Sequence, residues 1–459
     1  MFYKCFWLAV VLMVIPFWAL TQEPEDAKTE YQKKLTEIQN TNASDFYQLG
    51  KWAKDKKLFA PAKLYFKKAL ELKQDYAEAN EALSGNLTGD LPNNYLDLVK
   101  ECRKKIQEAE QKCANRLAEL AKYCKTKDLT EEKEFCISEA LKYDFNNKSA
   151  RDQQGEIKVE DFGWRTKADA EKIKNGYRES GGKWLPKNEV EKLKAKWEDA
   201  WEFKSDHYLL KTNISFNKAQ KTLEDLETFY DAALNLFYGI DGFEIPRNEL
   251  LNVFYFDTQS DFQAHTAQCD PNAKEAPGYY NRGDKAVHIW QFNLYRPQRS
   301  AGVTTTEQGT TNHEATHQFL CLGTGSDEGQ FNKSDYWSAE TMSTYFETIK
   351  INRGVVSFGN QTVKTLALKK NLPDIKISLK DLIRMGRADF NSSQIENKYA
   401  MTAGLVLFLM QHEKYKLRSL EYIIAVHKGN LDKSFDEFMK IDDMDKFEKE
   451  WLEFVRKKL

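Results

Sequence analysis

The stretch that most constrains this chain is Thr310-Thr311-Asn312-His313-Glu314-Ala315-Thr316-His317-Gln318-Phe319, an H-E-x-x-H motif in a run with helix-forming character. Residues four apart on a helix share a face, so His313 and His317 can turn their imidazoles toward one metal ion. Glu314 sits one position round the helix and reaches a water on that metal. Two ligands and a base then come from one turn, and the fold must bring a third ligand to this helix while leaving a fourth position open. With 7 histidines in 459 residues, chance gives such a motif about once in a hundred chains. The plain alternative is a surface helix with two exposed histidines.

Downstream, Asp335 to Glu347 reads as a second helix, and Glu340 lies 23 positions after His317. Ser338-Ala339-Glu340 followed by Tyr345-Phe346-Glu347 is a variant of the Glu-Gly-x-Ala-x-Tyr-x-Glu pattern, with Thr341 where that pattern has glycine. The arrangement resembles the gluzincin metallopeptidases, in which a glutamate near the start of the next helix completes a His, His, Glu site. The resemblance implies Zn2+ held by His313, His317 and Glu340, with Glu314 as the general base. The metzincin pattern is excluded, because Leu320 and Gly323 stand where it needs Gly and His.

A chain of this length predicts two to four units. Its 68 basic and 70 acidic residues nearly cancel, which gives no support for a nucleic-acid partner or a strongly acidic substrate. Met1-Phe2-Tyr3-Lys4 and the apolar run from Cys5 to Leu20 look like a secretory signal peptide over residues 1–21, with an uncleaved anchor as the alternative. The protein is therefore expected to be exported. No later apolar stretch is long enough to cross a bilayer. Removing the signal leaves Cys102, Cys113, Cys124, Cys136, Cys269 and Cys321, an even number compatible with disulfides; the expected pairs are Cys124 with Cys136 and Cys269 with Cys321.

Residues 22–90 form a helical region in which Phe46, Leu49, Gly50, Ala53, Ala62, Phe66 and Ala69 carry the spacings of a tetratricopeptide helix pair. That resemblance implies a surface for a protein partner; an amphipathic hairpin without a groove is the simpler reading. Residues 91–150 read as a cysteine-containing helical hairpin whose first helix spans 95–125, and 117–140 repeat the earlier layout. Residues 151–200 hold a duplication offset by 20, Gly163-Trp164-Arg165-Thr166-Lys167 and Lys183-Trp184-Leu185-Pro186-Lys187, each an extended piece with a buried Trp before a short basic helix.

The remaining unit, 201–459, opens with a strand from His207 to Ile214 and a helix from Phe216 to Tyr238. Strands follow at Leu250 to Phe256 and Lys285 to Trp290, and the chain after Glu340 reads almost wholly helical. This order resembles the gluzincin fold. It implies an α+β zincin-like catalytic domain with a small mixed sheet and a mostly helical carboxy-terminal half, preceded by the tetratricopeptide-like helices. In that fold an edge strand beside the active helix pairs with extended substrate; Gly278-Tyr279-Tyr280 and the strand at 285–290 are the candidates. His265 and His288 nearby read as structural.

The whole arrangement is most like exported bacterial proteins that pair degenerate tetratricopeptide-like and Trp-containing segments with a His-Glu-Ala-Thr-His-Gln gluzincin core. The resemblance implies zinc-dependent hydrolysis of a peptide or protein substrate. No Gly-x-Met-Glu-Asn segment precedes His313, so endopeptidase action is expected over aminopeptidase action. The alternative is an exported scaffold or binding protein with a silent zincin core. Tyr399 follows Glu340 by 59 residues, near the separation at which aminopeptidase-like gluzincins carry a tyrosine. That likeness implies an oxyanion donor, and a core tyrosine capping a helix is the competing role.

Overall fold

The computed structural model describes residues 26–459 apart from 88–91, 93, 161, 246–248, 293, 296–304, 327–328, 353–354, 360 and 430. The expected signal segment at 1–21 lies outside the described residues. Helices dominate, and a small mixed sheet supports the middle of the chain. Among the described residues no helix is long and apolar enough to cross a membrane.

Six helices make the front of the chain: α1 (Ala27–Asp55), α2 (Phe59–Leu72), α3 (Ala77–Ser84), α4 (Tyr95–Thr126), α5 (Thr130–Tyr143) and α6 (Lys148–Gln153). The α1–α2 and α4–α5 hairpins repeat one backbone design. Each turns on a left-handed residue, Lys57 at φ 60 and Asp128 at φ 54, and each second helix is 14 residues long. Gly50 lets α1 and α2 approach, since a Cβ there would come within 2.7 Å of the Phe66 ring. Cys102, Cys113 and Cys124 share one buried face of α4, as their spacing requires.

The front helices share a continuous core with the rest of the chain, running from Phe46 to Leu459. The Tyr65 and Tyr238 hydroxyls are 3.0 Å apart, Tyr95 Oη donates to the Tyr238 carbonyl at 2.6 Å, and Arg103 pairs with Asp231 at 2.9 Å.

Two β-hairpin and helix units follow. Strands β1 (Glu156–Val159) and β2 (Gly163–Thr166) precede α7 (Lys167–Lys174); β3 (Tyr177–Ser180) and β4 (Lys183–Pro186) precede α8 (Lys187–Lys194). The duplication is thus a structural repeat. Its tryptophans are half-buried, contrary to the buried anchors expected, because each hairpin has only two strands and one covering helix. Trp184 instead stacks under Lys172, whose Nζ lies 4.6 Å from the ring centre.

The sheet runs β5 (Trp201–Lys204), β6 (Tyr208–Thr212), β7 (Leu251–Phe256), β9 (Ala286–Trp290) and β8 (Gly278–Asn281) in spatial order. Strands β6, β7 and β9 are parallel, and both outer strands are antiparallel to their neighbours. The open edge beside the H-E-x-x-H helix is therefore β8. The 285–290 strand is interior, because the chain doubles back from β8 and inserts β9 next to β7. Helix α9 (Phe216–Phe237) connects β6 to β7, and α10 (Gln259–Cys269) connects β7 to β8.

The carboxy-terminal half comprises α11 (Glu307–Thr324), α12 (Tyr336–Phe346), α13 (Val363–Asn371), α14 (Leu379–Arg384), α15 (Arg387–Phe390), α16 (Ile395–Gln411), α17 (Glu413–His427), α18 (Phe435–Met439) and α19 (Met444–Lys458).

No disulfide joins any of the six described cysteines, so both expected bridges are absent from the structure. Cys124 and Cys136 do face each other across the α4–α5 hairpin as buried thiols, and burial pushes Cys136 up to about 12. Cys269 and Cys321 are kept apart by the sheet. Cys269 touches Tyr279 while Cys321 neighbours Tyr280, and successive residues of a strand point to opposite faces.

Candidate metal centre

Helix α11 is fixed at both ends and along its buried side. Thr306 caps its start by accepting from the Gly309 N–H at 3.0 Å, and Gly325 ends it at φ 69 in the left-handed region. Phe319 sits among Phe229, Tyr230, Phe237 and Phe243, which locks the helix against α9. Gln318 is buried, and its Nε2 donates to the Asn252 carbonyl at 2.9 Å and the Lys285 carbonyl at 2.8 Å. The residue after the second histidine therefore ties the helix to the ends of two strands.

The opposite side of α11 faces α12, and there the expected residues meet. His313 Nε2 and His317 Nε2 are 3.2 Å apart; Glu340 Oε2 lies 3.2 Å from the first and 3.7 Å from the second. A tetrahedral ion with ligand bonds near 2.0–2.1 Å sets its ligand atoms about 3.3 Å apart. These three side chains could hold such an ion. Glu340 is buried and its Oε2 is turned to the two imidazoles, an arrangement that a cation at the centre of the triangle would hold together. Its other oxygen accepts from Tyr336 Oη at 2.9 Å, four residues back on the same helix.

Charge is arranged to match. Burial would raise Glu340, but hydrogen bonds to His313 and His317 hold it well below the usual carboxylate range. Burial would lower His313, and its hydrogen bonds to Glu340 and Glu347 outweigh that and raise it to about 10. His313 Nδ1 lies 2.6 Å from Glu347 Oε1, and Glu347 is paired in turn with Lys364. A carboxylate on the far nitrogen fixes which nitrogen faces the ion and raises its basicity. Glu347→Gln is accordingly expected to weaken metal affinity about 10- to 100-fold, read by competition against a chromophoric chelator.

Glu314 stands beside the triangle without joining it. Its Oε2 accepts from the Tyr280 N–H of the open strand β8 at 2.9 Å. Gly278 keeps that strand close, since a Cβ there would lie 3.0 Å from both the His288 carbonyl and Thr310 Cγ2 of α11. Tyr399, on the second turn of α16, reaches the same region. Burial raises its phenol well above the ordinary range, and Glu340, Tyr336 and Glu314 add to the shift. His313, His317 and Glu340 thus converge, with Glu314 on the same helix beside them and Tyr399 close enough to feel Glu340 and Glu314.

Three participants were not singled out from the sequence. Tyr336 and Glu347 lie four before and seven after Glu340, both spacings that share its helix face, so a helical reading of 335–347 held the signal. Lys364 comes from a separate helix and left none. The chain matches no known protein-family model, and no curated protein matches it.

Proposed function

We propose that this chain is a zinc-dependent peptidase of the gluzincin type, cutting within peptide chains after export. One observation carries the reading: His313, His317 and Glu340 form a ligand triangle, and a further carboxylate, Glu314, sits beside them outside the ligand set. Zinc, when bound, would supply the Lewis acidity that acidifies water and polarises a scissile carbonyl. Glu314 accepts the proton of the attacking water and hands it to the leaving amine. Its anchor on the Tyr280 N–H keeps one carboxylate oxygen fixed and leaves the other for that transfer. The free edge of β8 offers backbone groups to an extended substrate, which brings the peptide alongside Glu314. The Tyr399 phenol remains protonated at working pH and can donate to the oxygen that becomes negative in the tetrahedral intermediate.

The test is digestion of a mixed peptide library by native protein, by chelator-stripped protein, and by stripped protein given Zn2+. Cleavage at internal bonds that is lost on stripping and restored by zinc is the expected result. His317→Ala should carry one zinc equivalent fewer than the native chain. A library left intact by zinc-loaded native protein would overturn the peptidase reading and favour the exported scaffold.

A further inference from the structure

Among the described residues a second group of metal-ligating side chains lies on the other face of the sheet. His265 and Cys269 are one turn apart on α10, and His288 is central in β9. Val287 and Ile289 point into the main core under α11; His288 points the opposite way, toward Phe254 and Tyr279. The ligand atoms of His265, Cys269 and His288 lie within 4.8 Å of one another.

The hydrogen bonds determine what these histidines offer. His288 Nε2 is 3.0 Å from Asp284 Oδ2. That contact holds the ring hydrogen on Nε2 and leaves Nδ1 with its lone pair, as outer carboxylates do for metal-bound imidazoles. His288 is completely buried, and Nδ1 has no partner among the described residues. His265 Nε2 is buried and unpartnered as well, although its ring stacks 5.1 Å from that of His288. Trp197, Phe254 and Phe256 surround His265. If these rings only filled an aromatic layer, phenylalanine would serve without leaving two polar nitrogens unsatisfied.

We propose that His265 Nε2, Cys269 Sγ and His288 Nδ1 form a second cation site, taking a zinc ion separate from the His313 centre. Two imidazoles and a thiolate suit a borderline-soft divalent ion and not calcium or magnesium, which prefer oxygen. Cys269 is exposed, which gives the ion its way in. Its Sγ now bonds the His265 carbonyl at 3.4 Å and lies 3.3 Å from Tyr279 Oη. A rotation about its side chain exchanges those weak contacts for the ion and closes the ligand atoms toward the spacing of about 3.3 Å that zinc requires. The site is structural. It staples α10 to the β8–β9 hairpin, the element whose open edge supplies the Tyr280 N–H to Glu314.

The proposal is independent of the peptidase reading, and cobalt separates the two. The His313 centre holds no sulfur, so a sulfur-to-cobalt charge-transfer absorption reports the second site alone. Reduced, metal-stripped full-length protein titrated with Co2+ should develop that near-ultraviolet band to one equivalent per chain. His317→Ala should keep the band and Cys269→Ser should lose it; the serine variant, altered only at an exposed position, should still fill the His313 centre. Zinc-loaded native protein should carry one equivalent more than Cys269→Ser. Absence of the band in native protein, its persistence in Cys269→Ser, or equal zinc content in the two proteins would each overturn the proposal.

Discussion

Replacing Glu314 with glutamine is expected to lower cleavage of any peptide the native protein cuts by about two to four orders of magnitude, with zinc content unchanged. The expectation rests on the separation of roles at the centre. The atoms that could hold a metal ion belong to His313, His317 and Glu340, whereas Glu314 is held from the side by the Tyr280 N–H at 2.9 Å. Glutamine has nearly the same shape, and its amide oxygen can accept that same hydrogen bond, so the strand and helix should stay in place. The amide cannot take up a proton at neutral pH. Turnover should therefore fall while the affinity for substrate and for metal is preserved. The measurement is kcat and KM on a peptide from the library, with zinc counted by mass spectrometry on the same preparation. A variant as active as native protein would remove Glu314 from the chemistry. Loss of zinc along with activity would instead make it a ligand.

How far the sequence discloses this site follows from where each interaction lies along the chain. His313, Glu314 and His317 are legible because one helical turn brings them together, and local spacing determines that turn. Glu340 lies beyond a loop, and only its likeness to a known helix pattern identifies it. Tyr336, which bonds Glu340, and Glu347, which bonds His313, share its helix face and are within reach of the same argument. Lys364 is not, since its pairing with Glu347 exists only once the start of α13 is brought to the end of α12. The strands at 208–212, 251–256 and 286–290 are legible in the sequence, the first by its alternation. Their order is not, since only the β8–β9 pairing places 278–281 and not 285–290 at the edge. An even cysteine count suggested bridges, yet opposite faces of one strand keep Cys269 from Cys321. Single histidines at 265 and 288 carry no local signal of each other, because a helix and a strand must pack before their nitrogens converge.

Tyr399→Phe is expected to reduce kcat about a hundred- to a thousandfold, with little change in KM or in zinc content. The competing role, a core tyrosine that merely starts α16, makes a different prediction, and the ring's contacts allow the two to be told apart. The Tyr399 ring meets Phe390 edge-on at 5.2 Å between centres and lies under Lys364 Nζ at 5.3 Å. Phenylalanine keeps both contacts, so a purely structural role predicts little effect of any kind. Only the hydroxyl is lost. That hydroxyl stands near Glu340, Tyr336 and Glu314, and burial together with those neighbours raises its pKa well above the ordinary value. It is therefore a hydrogen-bond donor throughout the working pH range and never a phenolate that would repel a developing negative charge. A donor aimed at charge that appears only in the transition state contributes to kcat and scarcely to binding, which is why the two kinetic constants should part. Unchanged kcat in Tyr399→Phe, with thermal stability also unchanged, would assign the residue to the core and leave the oxyanion to other donors.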